Sequence, residues 1–383
     1  MDGSHPITTA CGAMIDAREL HRGLAFATQA MARWNVVPIL GTLRIEALPG
    51  DRLRLECTDL DNTAAITLAE SVVTSAAPFI AQIRPALLRP LLRGYSGQVH
   101  LDYLDAAASP APPRLRVKAG DMTATFQLLI PPQDWPTSPA PGAFGPPLSI
   151  GNAQLAKALR KVQPCISTEE TRYYLNGALM QARDGHLRTV ATDGHRLACY
   201  DTPEAAWPLP DLIFPTTALR ILAAALEAQP NGQATIRAEI ADQDQGKPYV
   251  KRLHVAGDGW ELTCKTIDGT FPDYTRVMPP LADEITATIS YAALNRFPTT
   301  DCDRALKIDP AAGLMSIRMI DQDGEFAAPI QGKGAAFGVN IHYLKDFARP
   351  AGIIRLQGSR AGDPFRCLTE DPNLQQIIMP MRV

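Results

Sequence analysis

Residues 43–59 alternate strictly between apolar and polar. Leu43, Ile45 and Ala47 interleave with Arg44 and Glu46, and Leu53, Leu55 and Cys57 interleave with Arg54 and Glu56. Pro49-Gly50-Asp51 separates the two runs. Period-two alternation on both sides of such a turn predicts a half-buried β-hairpin, here closed by Thr58-Asp59. The outline recurs, less sharply patterned, at 178–193, where Asp184-Gly185 suits a tight hairpin turn and Thr192-Asp193 closes the unit. A third copy spans 305–321, turning through Asp309-Pro310 to Gly313 and ending at Asp321. Thr58 and Thr192 are 134 residues apart, Asp193 and Asp321 128 apart. Three repeats of this size account for the 383 residues.

A different period flanks each hairpin. Over 16–33, Ala17, Leu20, Leu24, Ala27 and Met31 share one helical face, and over 152–162 Leu155, Leu159 and Val162 do the same. Residues 289–297 form a shorter helical candidate. Second helices are predicted at 81–93, at 215–227 with Pro215 in the first turn, and at 340–349. Pro90 should bend or end the first of these. Strand-like segments finish the repeats at 126–136, 262–274 and 374–383, and the Pro-rich stretch 136–147 reads as an ordered linker. Each third is therefore an α+β module, with expected domains at 10–145, 146–280 and 281–383.

Composition narrows the class. The chain is 46% hydrophobic and 20% charged with a net charge of −3, so it is not a uniformly basic DNA-coating protein. It has no run of 18 apolar residues, and MDGSHPITTACG lacks the apolar segment of a secretion signal. Seven scattered cysteines without CxxC spacing predict reduced, packed thiols and a cytoplasmic protein.

Charge location changes the picture. The six helical stretches hold 13 basic and 4 acidic residues, leaving 24 basic against 36 acidic elsewhere. Arg33, Arg93, Lys161 and Arg349 lie at predicted helix C-termini, where the helix dipole favours cations regardless of function. The rest predict helices gathered against a polyanion, with an acidic exterior. Basic and aromatic residues do not interleave as in single-strand binders, so a duplex held by its phosphates fits better.

No constellation for catalysis emerges. The seven histidines have neither HExxH nor HxxxH spacing, and the chain lacks GxSxG, GxGxxG and Walker-type loops. Asp59-Leu60-Asp61 offers paired carboxylates to a divalent metal, as in a metal-dependent nucleic-acid enzyme. Thr-Asp recurs at Thr192-Asp193 without the second carboxylate, which points instead to turn hydrogen bonding. In Tyr173-Tyr174, read as strand, one ring at most reaches the core and the other is exposed to a partner. The apolar end, Ile377 to Val383, is either a strand tucked into the third repeat or the lining of a partner groove.

RYYLNG (172–177), TVATDGHRLA (189–198), DGTFPDYTRVMP (268–279) and IIMPMRV (377–383) resemble the bacterial DNA sliding clamp family, the β subunit of DNA polymerase III. RWNVVPIL (33–40) and TDLD (58–61) are fainter matches in the first repeat. The resemblance implies three clamp domains per subunit, each with two helices packed on antiparallel sheet. They form a crescent that dimerises head to tail into a ring around non-specifically held double-stranded DNA.

The implied role is a processivity factor: non-catalytic, without metal or other cofactor and without membrane attachment. Its implied partners are the DNA polymerase III alpha subunit, the clamp loader, and other polymerases and repair proteins carrying a clamp-binding peptide. By motif, the peptide groove comprises Leu175, Thr192, Gly194, His195, Arg196, Leu197, Pro272, Arg276, Val277, Asn340, Tyr343, Ile377, Ile378, Met379, Pro380, Met381 and Arg382. The duplex-facing set is Arg22, Arg84, Arg89, Lys157, Arg160, Lys161, Arg172, Tyr173, Tyr174, Arg220, Lys345 and Arg349, of which Arg172, Tyr173 and Tyr174 match a loop near both duplex and groove. Phe126 and Leu128 match the dimer seam. The first repeat diverges most, and the short helical stretch after Ser290 alters the seam's other side. The alternative is a clamp-like paralogue that binds the peptides without closing a stable ring.

Overall fold

The computed structural model describes residues 9–32, 37–69, 71–73, 79–104, 112–128, 130–136, 144–242, 248–320 and 323–383. Arg33 and its three successors, most of the 136–147 linker and Asp321 lie outside them. Six α-helices occur among the described residues: α1 Ala17–Ala27, α2 Arg89–Leu92, α3 Asn152–Val162, α4 Thr216–Ala228, α5 Tyr291–Leu294 and α6 Ile341–Ala351. None is long and apolar enough to cross a membrane. The chain divides into two compact units, residues 1–153 with 220–266, and residues 154–219 with 267–383.

The first unit holds two antiparallel sheets. One runs, in spatial order, through Ser71–Val73, Thr9–Asp16, Gln98–Leu104, Arg114–Ala119 and Met122–Gln127. The other has eight strands: Leu148–Gly151, Gln233–Asp242, Pro248–Ala256, Trp260–Lys265, Asn62–Leu68, Arg52–Thr58, Leu43–Leu48 and Ile80–Ile83. The pairing of Trp260 with Ile66 through Cys264 with Asn62 joins strands of two repeats into this single sheet. Beside that seam Arg54 bridges Glu56 and Glu261, and Trp135 donates its indole N–H to Glu56 at 2.6 Å.

The second unit repeats the plan. Its nine-stranded sheet runs through Leu212–Pro215, Gly177–Arg183, His186–Thr192, Arg196–Ala206, Leu374–Ile378, Phe365–Leu368, Ile353–Gly358, Ile285–Ser290 and Gln331–Lys333. Its five-stranded sheet runs through Glu325–Pro329, Leu314–Arg318, Ala305–Asp309, Phe337–Asn340 and Pro380–Met381.

The three predicted hairpins are present, with strands at 43–48 and 52–58, 177–183 and 186–192, and 305–309 and 314–318. Leu43, Ile45, Ala47, Leu53 and Leu55 are fully buried, as their alternation requires. The second hairpin alternates weakly for a physical reason: Gly177 to Met180 and Leu187 to Ala191 are buried on both faces, so polar positions are not needed. Asp184 and Gly185 both take positive φ, 51° and 82°.

The helices follow the sequence less evenly. α3 coincides with its prediction. α1 ends at Ala27, short of residue 33, where the Thr28 hydroxyl donates to the Leu24 carbonyl at 2.7 Å. The helix expected over 81–93 is corrected. Ile80–Ile83 is a strand paired with 43–46, Pro85 opens a 3₁₀ turn, and only Arg89–Leu92 is α-helical. Pro90 lies in the first turn of that short helix, where a missing N–H costs nothing, so it starts the helix rather than bending one. Pro215 ends the strand before α4 instead of opening the helix. α5 has four residues, matching the short stretch after Ser290.

In the second unit Phe337 and Phe365 stack with centroids 3.9 Å apart and rings 13° from parallel, both buried. Phe365→Ala opens a ring-sized void there and is expected to cost about 3–5 kcal/mol, read as a lower denaturant midpoint.

Candidate peptide groove and cationic surface

The groove begins with a turn. Thr192 Oγ1 donates to the Arg196 carbonyl at 2.7 Å and accepts the Gly194 N–H at 3.1 Å. Asp193 Oδ1 accepts the N–H groups of His195 and Arg196 at 2.9 and 3.0 Å. Gly194 sits between them at φ 88°, a conformation glycine adopts without penalty. The first repeat builds the same turn from Thr58 and Asp59: Thr58 Oγ1 bonds the Asn62 carbonyl and the Leu60 N–H, and Asp59 Oδ1 accepts from Asp61 and Asn62. Leu60 takes the glycine's place at φ 79°. Asp59 is thus committed to turn hydrogen bonds, and Asp61 pairs with Lys265 at 2.7 Å. No cluster of three or more potential metal ligands occurs among the described residues.

The turn is welded to the chain end. Arg196 to Tyr200 pair with Ile378 to Leu374, and the Met379 N–H donates to the His195 carbonyl at 2.8 Å. Arg196 is held on three sides. Nε meets Asp193 at 3.0 Å, Nη1 meets Asp346 at 2.7 Å, and the guanidinium carbon lies 4.2 Å from the centroid of the Tyr343 ring. His195 stacks on the same ring. Asn340 caps α6 by accepting from His342 and Tyr343, which presents Tyr343 to that stack. Burial raises the Tyr343 phenol above its ordinary pKa.

Beside the turn opens a cavity of about 270 Å³, lined by Arg172, Tyr174, Leu175, Thr192, Gly194, Arg196, Leu197, Pro272, Asp273, Tyr274, Val277, Ile377 and Met379. Its floor continues into a core cluster of Leu179, Val190, Leu197, Cys199, Tyr274 and Ile377, with Phe271 and Met278 against it. The structure therefore brings nine of the groove residues named from sequence to one cavity wall. Arg172 and Tyr174, from the loop expected near both duplex and groove, line the cavity as well.

The other named residues lie elsewhere. His195 and Tyr343 form the neighbouring stack, and Asn340 is a helix cap. Arg276 is exposed and paired with Asp273, and Ile378 is buried in the sheet. Pro380 and Met381 pair with Val339 and Gly338, and the last three residues are exposed. The apolar end is thus at once a strand and, through Ile377 and Met379, a cavity wall.

Tyr274 and Asp273 were missed from sequence, although both sit inside the quoted motif between Pro272 and Val277. Tyr274 is buried, and its hydroxyl accepts from Gln181 at 2.6 Å and faces Arg188 at 3.5 Å. Arg188 is itself gripped by both oxygens of Asp201, and that hydrogen bonding raises its pKa. Asp273 caps the 3₁₀ turn Tyr274–Val277. This anchor fixes the segment that carries Val277 to the rim. Tyr173 and Tyr174 belong to the 3₁₀ helix Glu170–Leu175 rather than to a strand, with Tyr173 54% exposed and the rings edge-on.

The cationic candidates separate by environment. In the first unit Arg22, Arg84, Arg89 and Arg220 are exposed, Arg22 pairing with Glu19. Arg89 joins Arg93 and His21 around a shallow cavity beside α1. In the second unit Arg160 donates to Gln163, and Arg349 donates to the Tyr291 hydroxyl. Lys345 departs from its expected role. It is 8% exposed and its ammonium donates to the Phe297 carbonyl at 2.8 Å, with burial lowering its pKa. A cation spent on an internal carbonyl does not reach a polyanion. All seven cysteines are free and buried, and burial pushes the Cys199 and Cys264 thiols up to about 12.

The family model described as DNA polymerase III beta subunit, central domain, matches residues 149–273. The beta sliding clamp of Caulobacter vibrioides is 28% identical over 391 residues, covering 96% of this chain and 99% of that one. A solved C. crescentus beta sliding clamp superposes with a TM-score of 0.82 at 25% identity, covering 97% of this chain and 99% of that one. A Bartonella birtlesii DNA polymerase III subunit beta, solved bound to griselimycin, gives 0.82 at 26% identity, with 97% of this chain and 100% of that one covered.

At Gly194 a β-carbon would lie 2.7 Å from Arg172 Nη1, on top of the positive φ. Gly194→Ala is expected to cost about 1–2 kcal/mol in stability and to displace Arg172 from the cavity rim. Thermal unfolding, and a crystal structure of the variant, check both.

Proposed function

We propose that this chain is a divergent member of the bacterial DNA sliding-clamp family, a processivity clamp whose two copies close head to tail around duplex DNA. It holds the phosphates without base readout and tethers polymerases through the apolar groove. The observation that carries this reading is the single cavity formed by segments 172–175, 192–197, 272–277 and 377–379, the stretches whose motifs resemble the family. A groove of that size, apolar on its floor and rimmed by Arg172 and Asp273, suits a short apolar peptide. Burying one leucine-sized and one phenylalanine-sized side chain contributes roughly 1.5–3 kcal/mol each, which supports exchangeable docking once ordering costs are met.

The partners in this reading are the DNA polymerase III alpha subunit, the clamp loader, and other polymerases and repair proteins in the cytoplasm. The protein does no chemistry itself. The three repeats act as clamp domains at 10–145, 146–280 and 281–383. Phe126 and Leu128 lie on and just beyond Met122–Gln127, the strand that ends its sheet, and make the seam. The four-residue α5 favours a second reading, a paralogue that keeps the groove but closes weakly.

Loader-dependent retention on nicked circular DNA, lost when the circle is cut, is the expected result, and retention indifferent to cutting overturns it. Native mass decides between the two readings: a monomer stable at micromolar concentration that still binds the peptide selects the second.

Met379 lines the cavity. Met379→Ala is expected to weaken peptide binding about tenfold while dimerisation persists. Calorimetric titration and native mass measure the two.

A further inference from the structure

The pairing of 196–200 with 374–378 sets the turn before Leu374–Ile378 beside α3, where the Asp201 N–H donates to the Asn373 carbonyl at 3.0 Å. In that turn Asp371 Oδ2 lies 2.9 Å from Lys157 Nζ and 3.9 Å from Lys161 Nζ. Lys157 Nζ also lies 5.5 Å from the centroid of the buried Tyr200 ring. Burial alone would lift the Asp371 carboxyl, but the Lys157 hydrogen bond, the Asn373 N–H and the two ammonium charges together hold it below the ordinary carboxylate range. One carboxylate therefore serves two of the cations on α3, and the trio carries a single net positive charge.

We propose that Asp371 acts as an internal stand-in for a DNA phosphate, competing with the duplex for Lys157 and Lys161 and so setting how firmly α3 grips. This rests on the reading of α3 as duplex-facing. Lysine suits the exchange: its ammonium is a point charge on a flexible stem and passes from carboxylate to phosphate without backbone movement. Lys157 is half exposed while Asp371 is only 15% exposed, so the acceptor stays in place and the donor moves. A lysine leaving one phosphate finds a waiting anion before it meets the next. That flattens the energy profile along the duplex and weakens the hold at every position.

Asp371→Asn is the informative change. The amide keeps an Oδ1 acceptor for the Asn373 N–H and removes the charge. The full-length chain is titrated with a short linear duplex across a series of salt concentrations. The plot of log affinity against log salt is expected to steepen by about one in the variant, which adds about a 3.5-fold loss for each fourfold rise in salt. Lys157→Met with Lys161→Met is expected to flatten the slope by about one in the unaltered chain and by about two when combined with Asp371→Asn. The double-lysine change with Asp371 intact tests the proposal even where Asp371→Asn folds poorly, since loss of two full units there contradicts it. Equal slopes for the unaltered chain and the Asp371→Asn variant, or a gain that persists after both lysines are removed, overturn it while leaving the clamp reading intact. Absence of any salt-dependent duplex binding by the unchanged chain overturns this inference alone, since a ring that holds by closure needs no affinity for a linear duplex, and the clamp reading is decided by retention on nicked circles.

Discussion

Five residue pairs, Arg196 with Ile378 through Tyr200 with Leu374, tie the strand Leu374–Ile378 near the chain's end to the middle of the sequence, and most of the second unit's organisation hangs on that contact. Burial constrains the register: Leu197, Cys199 and Ile377 belong to one core cluster while the neighbouring Ala198 and Ile378 are also buried, so a slip of one residue would exchange two buried sets of different size. Once it is set, Met379 meets His195, Ile377 becomes cavity floor, and Asp371 is delivered to α3. The first unit uses the same device, pairing 62–66 with 260–264. In both places two repeats share one sheet, so a repeat read along the chain is not the same object as a compact unit in space.

That distinction explains what is legible in the sequence. The hairpin at 43–58 announces itself because one face is buried and the other is not, and the Thr-Asp turns recur because the same hydroxyl and carboxylate satisfy the same backbone groups at 58–62 and 192–196. Helix α3 is readable from Leu155, Leu159 and Val162 alone. Contacts between repeats leave no periodic trace, so neither the eight-stranded sheet nor the partnership of Asp371 with Lys157 is visible in composition or spacing. The 81–93 segment misleads for a related reason: Ala81, Ile83, Leu88, Leu91 and Leu92 offer apolar residues compatible with a helix, yet strand pairing to 43–46 claims the first of them.

At the candidate groove, motif resemblance reaches further than physical patterning. Leu175, Leu197 and Ile377 are ordinary core residues to any periodicity argument, and only the quoted motifs set them together in advance. The same motifs say nothing about why the wall is rigid. The structure supplies that: Tyr274 is pinned by Gln181 and Arg188, and Arg196 is fixed by two carboxylates and an aromatic face. A preorganised wall spares a docking peptide the ordering cost that a mobile one would impose. The missed residues, Asp273 and Tyr274, belong to this supporting layer.

The cations invite a comparable distinction between presence and availability. Thirteen basic residues in the helical stretches suggest a strong attraction for a polyanion, but a formal charge counts fully only where no neighbour has claimed it. Lys345 is spent on a carbonyl, Lys157 and Lys161 share a carboxylate, and Arg22 leans on Glu19. Arg84, Arg89 and Arg220 stand exposed. In the proposed ring, held on its duplex by closure rather than by affinity, such grading would have a mechanical consequence. Tight contacts would add nothing to retention and would resist translation, because every step along the helix would break them at once. In that reading, cations already half satisfied at home would let the phosphates be exchanged one at a time, and a net charge of −3 over the whole chain would keep the remaining surface from adding grip of its own.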